Sequence, residues 1–487
     1  MSTALGASQD TALRPTRRRA VTSSASATTR ESALSSLLAA VLSFVLYLIA
    51  SWVRHSRYQS GIDLTIFGQA IREYGAFQPP YVALKAREPF NVLGDHFSPI
   101  IAVIAPVYRL LPHIEVLLVT QAGLFAWSVY LISRLAHKKL GSRLGVWLAV
   151  CYVLSPGVMS AVSFDFHEVC FAVPTVILAI DAAIEKQWRR LAVLSILLFL
   201  VKEDSTFLLA GIALMLLARH EIKTGLILGG SSVVAFIGLV GIVIPFFSYY
   251  GRYTYLPSDS GETSGILQTA VLMLQQPEVW SSLLLVLVTC GPGLRSPVFL
   301  VIVPTLLSRL VTHNTSYWNV ALHYWATLTA ACFVALIDGL AIFHARHEES
   351  FSFRVSCRIH LGLVFGVSLI TTQLVIGWTN VFGLSNHPEK AEEFSEVVQE
   401  VPIGAAIIAD AYATSHLADT NTVYLANASW TDSTGQPLVA DWVLLDETSP
   451  VDENPDRRWV TAREESLSRD GFSVVDRQGP IVLWHKE

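Results

Sequence analysis

ALSSLLAAVLSFVLYLIASWV, residues 33–53, runs without a single charge. About 20 apolar residues span the hydrocarbon core of a bilayer, and such a run exceeds the apolar part of a cleaved signal peptide. The stretch reads as a retained first membrane helix. Before it, residues 1–31 are rich in Ser, Thr, Ala and Arg without apolar periodicity, which predicts a disordered arm. Arg17, Arg18 and Arg19 hold that arm in the cytoplasm. The chain beyond the helix therefore emerges on the outer side, beginning with Ile62-Asp63-Leu64-Thr65-Ile66-Phe67-Gly68-Gln69.

The composition of the 487 residues agrees: 52% are hydrophobic and 15% charged, where soluble domains carry about a quarter. The net charge of −5 hides a split. Residues 379–487 hold 19 acidic and 7 basic residues, a net of −12, and residues 1–378 hold 20 and 27, a net of +7. A basic apolar body with an acidic, water-soluble tail is expected, and nothing in the pattern calls for a nucleic-acid partner. The five cysteines lie in or beside apolar runs without a CxxC spacing, which makes them small buried hydrophobes and excludes a disulfide-stapled tail.

Taken in order, residues 54–98 form a polar outer loop, too long for a turn, suited to short helices lying along the membrane surface. It carries Asp63 and Gly94-Asp95-His96-Phe97-Ser98-Pro99. Residues 100–133 are apolar and end at Arg134, Lys138, Lys139 and Arg143, a cytoplasmic signature. Residues 145–163 lead out to Phe164-Asp165-Phe166-His167-Glu168, and 169–184 return to Lys186, Arg189 and Arg190. The short runs 191–201 and 205–218 flank Lys202-Glu203-Asp204. They form either one tilted helix with charges at its centre or two short helices meeting at an outer cavity; the cost of charge against lipid favours the second. Residues 225–247 lead to a loop with Tyr253, Tyr255, Asp259 and Glu262, and a second broken pair, 279–290 and 298–311, flanks Gly291–Pro297. Spans 318–343 and 359–378 complete an all-α polytopic domain, 32–378, of about eleven membrane segments. The tail, 379–487, reads as a small extracytoplasmic α/β domain: helices at 389–400 and 462–469, and strands at 403–409, 422–425, 442–445, 472–475 and 481–484.

With orientation assigned, one outer edge gathers Asp63, Asp95, His96, Asp165, His167, Glu168, Lys202, Glu203, Asp204 and His323. Carboxylates and imidazoles beside a bilayer have a partner or a function. Asp63 is the strongest candidate, as a general base taking a proton from a hydroxyl nucleophile; the plainer reading is an N-cap for a helix starting near Leu64. Asp95, His96, Asp165 and His167 have the residue types of a set holding a divalent cation, Mg or Mn, against a phosphate. Without a metal the histidines could protonate a leaving phosphate. Lys202 is either a phosphate-binding point charge or the internal partner of Glu203 or Asp204.

These motifs resemble a prokaryotic family of predicted membrane proteins of unknown function. The shared pattern is F-D-x-x-x-F-x-Q after the first helix (Asp63, Phe67, Gln69), G-D-H-F-S-P (Gly94 to Pro99), F-D-F-H (Phe164 to His167), V-K-E-D (Val201 to Asp204) and a late His323-Tyr324. Ile62 stands where that family has Phe, and Trp325 where it has a small residue, a change that would narrow a cavity. The family is in turn similar to the GT-C polytopic glycosyltransferases. That similarity implies a catalytic acidic residue in the first outer loop and a polyprenyl-phosphate-linked sugar as donor. The function expected is an inverting glycosyltransferase of the plasma membrane, acting on an extracytoplasmic acceptor with Asp63 as base. The rivals are a transporter or flippase of a lipid-linked or anionic solute, and a scaffold presenting the acidic tail.

Overall fold

A chain in hydrocarbon must satisfy its backbone hydrogen bonds internally, and the helix does so within one segment. Helices dominate the computed structural model of this protein, which describes residues 16–255, 265–312, 314–347, 351–384, 388–427, 429–448 and 458–486. Asp259, Glu262 and residues 1–15 lie outside the described residues.

Helix α1 (Thr16–Ser56) contains the expected first span, Arg30–Ser56. Leu34, Leu38, Val41, Leu42, Val45, Ile49 and Trp52 are exposed along one stripe at helical spacing, which suits lipid and not water. The opposite stripe buries Ser36, Ser43, Tyr47, Ala50 and Ser51. Apart from Tyr47 these are small side chains, which let helices approach closely.

After α2 (Ile62–Gly75) come α3 (Ala105–Leu110) and α4 (Glu115–Leu140). Residues 100–133 are therefore not one segment. Pro112 cannot continue a helix begun before it, so Pro99–Leu110 stays short and α4 is the span. A bend of 45° joins α5 (Ser142–Val153) and α6 (Pro156–Ser163). Next are α7 (Val169–Ile184), α8 (Trp188–Val201) and α9 (Ser205–Ala218); α8 and α9 are two separate short helices broken at Lys202–Asp204. A single π turn, Leu239–Val243, joins α10 (Ile222–Gly238) to α11 (Ile244–Phe247). The membrane part closes with α12 (Ile266–Leu274), α13 (Pro277–Cys290), α14 (Val303–Leu310), α15 (Ala326–His347), α16 (Phe351–Val375) and the single turn α17 (Trp378–Val381). Among the described residues six helices are long and apolar enough to cross a membrane, or seven with the bent pair; the remaining apolar helices, such as α7 and α9, are shorter.

Two features fix the bundle. A Cβ on Gly211 of α9 would stand 2.1 Å from the Val301 carbonyl oxygen, so only glycine allows that backbone approach. Asp338 of α15, 5% exposed, accepts hydrogen bonds from Lys139 Nζ (2.7 Å), Arg219 Nη2 (2.9 Å) and Ser296 Oγ (2.6 Å). It thereby ties together the ends of α4 and α9 and the turn before α14.

The C-terminal domain comprises α18 (Pro388–Gln399), β1 (Ala406–Ala409), α19 (Ala411–Leu417), β2 (Thr422–Leu425), β3 (Trp442–Asp446), α20 (Arg458–Arg469), β4 (Phe472–Gln478) and β5 (Ile481–Lys486). The sheet order is β2-β1-β3-β5-β4, with β1 parallel to β2 and β3, and β5 antiparallel to β3 and β4. Every expected strand forms; α19 was not expected.

This domain is seated on α2. Gln69 Nε2 donates to the Val423 carbonyl (3.1 Å), and Arg72 Nη1 donates to the carbonyls of Ala418 and Asn421 (2.8 and 2.9 Å). The Thr65 and Thr414 hydroxyls meet at 2.7 Å. All residues of α2 from Leu64 to Ile71 are buried, so this helix does not lie free on a membrane surface as expected.

Candidate active site

Gly61 precedes α2, and no side chain caps that helix. Asp63, in its first turn, is thus not an N-cap by hydrogen bonding. Its Oδ2 stands 3.5 Å from His167 Nε2, and its side chain is 32% exposed. His167 is held from three sides. Its backbone N–H donates to Gln121 Oε1 (3.1 Å), its Nδ1 faces the Asp165 carbonyl oxygen (3.1 Å), and its ring stacks on His323 at 3.6 Å. The Phe164–Glu168 turn, entering α7, and the His323–Trp325 turn, entering α15, bring these imidazoles together.

A cavity of 180 Å³ is lined by Asp63, Lys85, Asp95, His96, His167, Glu168, Lys202 and His323. Beside it lies a larger cavity of 670 Å³ whose walls are mostly apolar, among them Val201, Phe207, Leu208, Phe236 and Leu307. The two share Glu168, Lys202, Tyr255, Tyr317, His323 and Tyr324. Glu203 and Asp204 line only the larger cavity, and Asp165 lines neither.

The break between α8 and α9 supplies the polar heart of this region. Lys202 Nζ reaches Glu168 Oε1 at 2.9 Å, rather than its neighbours Glu203 and Asp204. Burial opposes its charge, but Glu168, Asp204 and Glu203 hold its pKa well above the ordinary lysine value. Burial likewise opposes the Glu168 charge, and Lys202 and His167 outweigh it, keeping Glu168 below the usual carboxylate range. Glu203 accepts from His96 Nδ1 (2.6 Å), the Phe97 backbone N–H (3.1 Å) and the Tyr253 hydroxyl (3.0 Å). Against its burial, His96 and Lys202 pull it down to about 2. Asp95 pairs with Lys85 (3.1 Å) and accepts from the Tyr255 hydroxyl (2.8 Å), and Tyr255 stacks on His96. Burial raises Asp204, and the Glu203 and Glu168 charges add to it.

Asp165 stands apart, against Gly61. Burial first, then the Asp63 charge, push its carboxyl up to about 6, against the Gly61 N–H and the charges of Arg54 and His167. The proposed metal set therefore does not converge. Asp95 and His96 are already engaged with Lys85 and Glu203, and Asp165 lies outside the cavity walls. The donor set does not fit a resident cation. Among the described residues the group whose ligand atoms do converge is His113, Glu115 and Asp419, at the seam with the C-terminal domain. Asp419 there accepts hydrogen bonds from Tyr108 and the Ile114 N–H.

Sequence reasoning passed over Arg309, Lys85 and Gln121. Arg309 lines the larger cavity, donates to the carbonyls of Tyr317 (2.9 Å) and Tyr324 (2.6 Å), and sits over the Trp325 ring at 4.9 Å. A lone arginine inside an apolar run was the available signal. Trp325 is 2% exposed and lines neither cavity, so it does not narrow the site.

Residues 54–481 match the sequence family described as "Predicted membrane protein (DUF2079)". The chain belongs to this family. Every motif quoted from the sequence of this DUF2079 protein, from Asp63 to His323, contributes to the walls of the two adjoining cavities. No curated protein matches it. A crystal structure of ArnT from Cupriavidus metallidurans in the apo state is similar at a TM-score of 0.45 and 11% identity, over 91% of this chain and 97% of that one.

Proposed function

We propose that this protein is a membrane glycosyltransferase that moves a sugar from a polyprenyl-phosphate donor to an acceptor hydroxyl, with Asp63 as general base. The observation that carries the reading is the pair of adjoining cavities. The small polar one presents the Asp63 carboxylate and has room for a monosaccharide. The large apolar one suits an isoprenoid chain, and Lys202 stands at their junction. Asp63 takes the acceptor hydroxyl proton, and the oxygen attacks the anomeric carbon. The bond from that carbon to the phosphate oxygen breaks, the configuration inverts, and polyprenyl phosphate leaves. Lys202 is ion-paired with Glu168 and lines both cavities, where its charge would meet the phosphate. Tyr317 and Tyr324 line both cavities and would offer their hydroxyls as further donors.

In this reading the chain is a multi-pass protein of the plasma membrane, with about eleven passages once the short helices are counted. The N-terminus is cytoplasmic, and the site and C-terminal domain are extracytoplasmic. The Lys139–Arg219–Asp338 end, remote from Asp63, supports that orientation.

The test is reconstitution in nanodiscs with polyprenyl-phosphate sugars, guided by mass spectrometry of envelope glycans with and without the gene. Free polyprenyl phosphate together with a glycosylated acceptor supports the assignment. Passage of an intact lipid-linked sugar across liposomes, with no bond cleaved, would replace it with a transporter.

A further inference from the structure

At the end of the bundle remote from Asp63, a second large cavity of 740 Å³ opens between helix ends. It is lined by the last turns of α4, the start of α5, the second half of α7 and Arg190 of α8. Its α4 lining runs from Tyr130 to Lys138, so at 1.5 Å per residue the cavity lies about 22–35 Å along that helix from Glu115. We infer that it binds the headgroup of an anionic phospholipid. The inference does not depend on the proposed reaction.

Three observations converge on an anion there. Arg134 and Lys138 project from α4 four residues apart, a like-charge pairing of which Glu185 answers only the Lys138 half. Lys138 has Glu185 (2.7 Å) and Arg190 has Asp181 (3.4 Å). Arg134 has no carboxylate partner among the described residues, and its guanidinium lies 5.9 Å from the Tyr130 ring. The N-terminus of α5 also opens here, at Gly141 and Ser142. No side chain caps it, and its first turn holds Arg143 and no acid. A helix N-terminus carries partial positive charge, so this one is doubly uncompensated.

The remaining wall says which anion. Leu131, Leu135, Ile177 and Leu178 line the same cavity, with Leu131 and Leu178 only half-buried. A free phosphate has no use for that wall, whereas the first methylenes of a diacylglycerol do. A basic pocket between helix ends with an apolar flank is the chemistry of a phospholipid headgroup site. The phosphate would lie between Arg134 and the start of α5, with the chains leaving over Leu131 and Leu178.

Native mass spectrometry of the full-length protein in detergent tests this, with phosphatidylglycerol, phosphatidylcholine and inorganic phosphate as separate probes. Phosphatidylglycerol is expected to bind and phosphatidylcholine not. Arg134→Gln is expected to weaken phosphatidylglycerol about tenfold, and Arg134→Lys less. Ser142→Glu, which sets a negative charge at the α5 start without touching Arg134, is expected to do the same. An unchanged lipid-free melting temperature separates these effects from unfolding. Equal binding of the two lipids, or undiminished phosphatidylglycerol binding in both Arg134→Gln and Ser142→Glu, would overturn the inference. So would inorganic phosphate binding as tightly as the lipid, which would make the pocket a free-anion site.

Discussion

His167 Nε2 lies 3.5 Å from Asp63 Oδ2, and the same imidazole stacks on His323 with ring centroids 3.6 Å apart. The contact joins three places far apart in the chain: the first turn of α2, the entry to α7 and the entry to α15. Because His167 Nδ1 faces the Asp165 carbonyl, the ring is oriented with Nε2 toward the carboxylate. Asp63 is thereby aimed by a fixed ring while remaining one-third open to the cavity.

Asp63→Asn preserves the shape and removes the proposed base. The expected loss in glycan transfer is roughly 10²- to 10⁴-fold, the usual contribution of general-base catalysis. The mutant is expected to express and melt like the wild type. Full transfer activity in a steady-state assay would remove Asp63 from its role.

Lys202 and Glu168 form a pair in which Glu168 is 2% exposed. Lys202→Met strands that carboxylate, at a cost of about 3–5 kcal/mol of stability. The double variant Lys202→Met, Glu168→Gln is expected to recover most of it. Thermal unfolding in detergent measures both, and equal losses in single and double variants would show that the pair is not coupled.

Burial first, then the Asp63 charge, push the Asp165 carboxyl up to about 6. Its folded-state pKa is raised, so its stabilising contribution is complete below pH 3.8 and is lost as pH rises through 6. Asp165→Asn stays neutral throughout. The variant is expected to gain on the order of 3 kcal/mol over wild type at pH 8 and nothing at pH 3.5. Melting curves at the two pH values decide it; a variant no more stable at pH 8 would show that the charged carboxyl is compensated.

Gly211→Ala forces a methyl against the Val301 backbone. Overpacking of this kind is expected to cost about 1–3 kcal/mol and to push the start of the 297–310 segment away from α9. Lys202 lies at the other end of the break that begins α9, so transfer activity should fall together with melting temperature. An unchanged melting temperature would mean that α9 shifts freely.

Much of this was legible in the sequence because lipid imposes simple rules. An uncharged run the length of residues 33–53 has one fate, and Lys202–Asp204 could not be left in the middle of a helix facing lipid. The alternation of short apolar runs in the tail marked all five strands. The partner of each charge was not legible. Lys202 pairs with Glu168 and not with its sequence neighbours, a partner that the fold brings from the turn before α7. The fate of α2 was also hidden: its mixed Leu64–Ile71 face suits a membrane surface and a protein surface equally. Only the tail, more than 300 residues later, decides between them.

That last contact has a consequence for how the protein is made. Thr65 and Thr414 are 349 residues apart, and Gln69 and Val423 are 354 apart. At ~5–20 residues per second, a ribosome needs roughly 20–70 seconds to supply the second partner after the first. Throughout that interval α2, with Asp63 in its first turn, has no lid. The nascent chain must hold an apolar helix in waiting, and a transcript cut short before the last span yields a protein whose earliest-made functional segment never finds its seat.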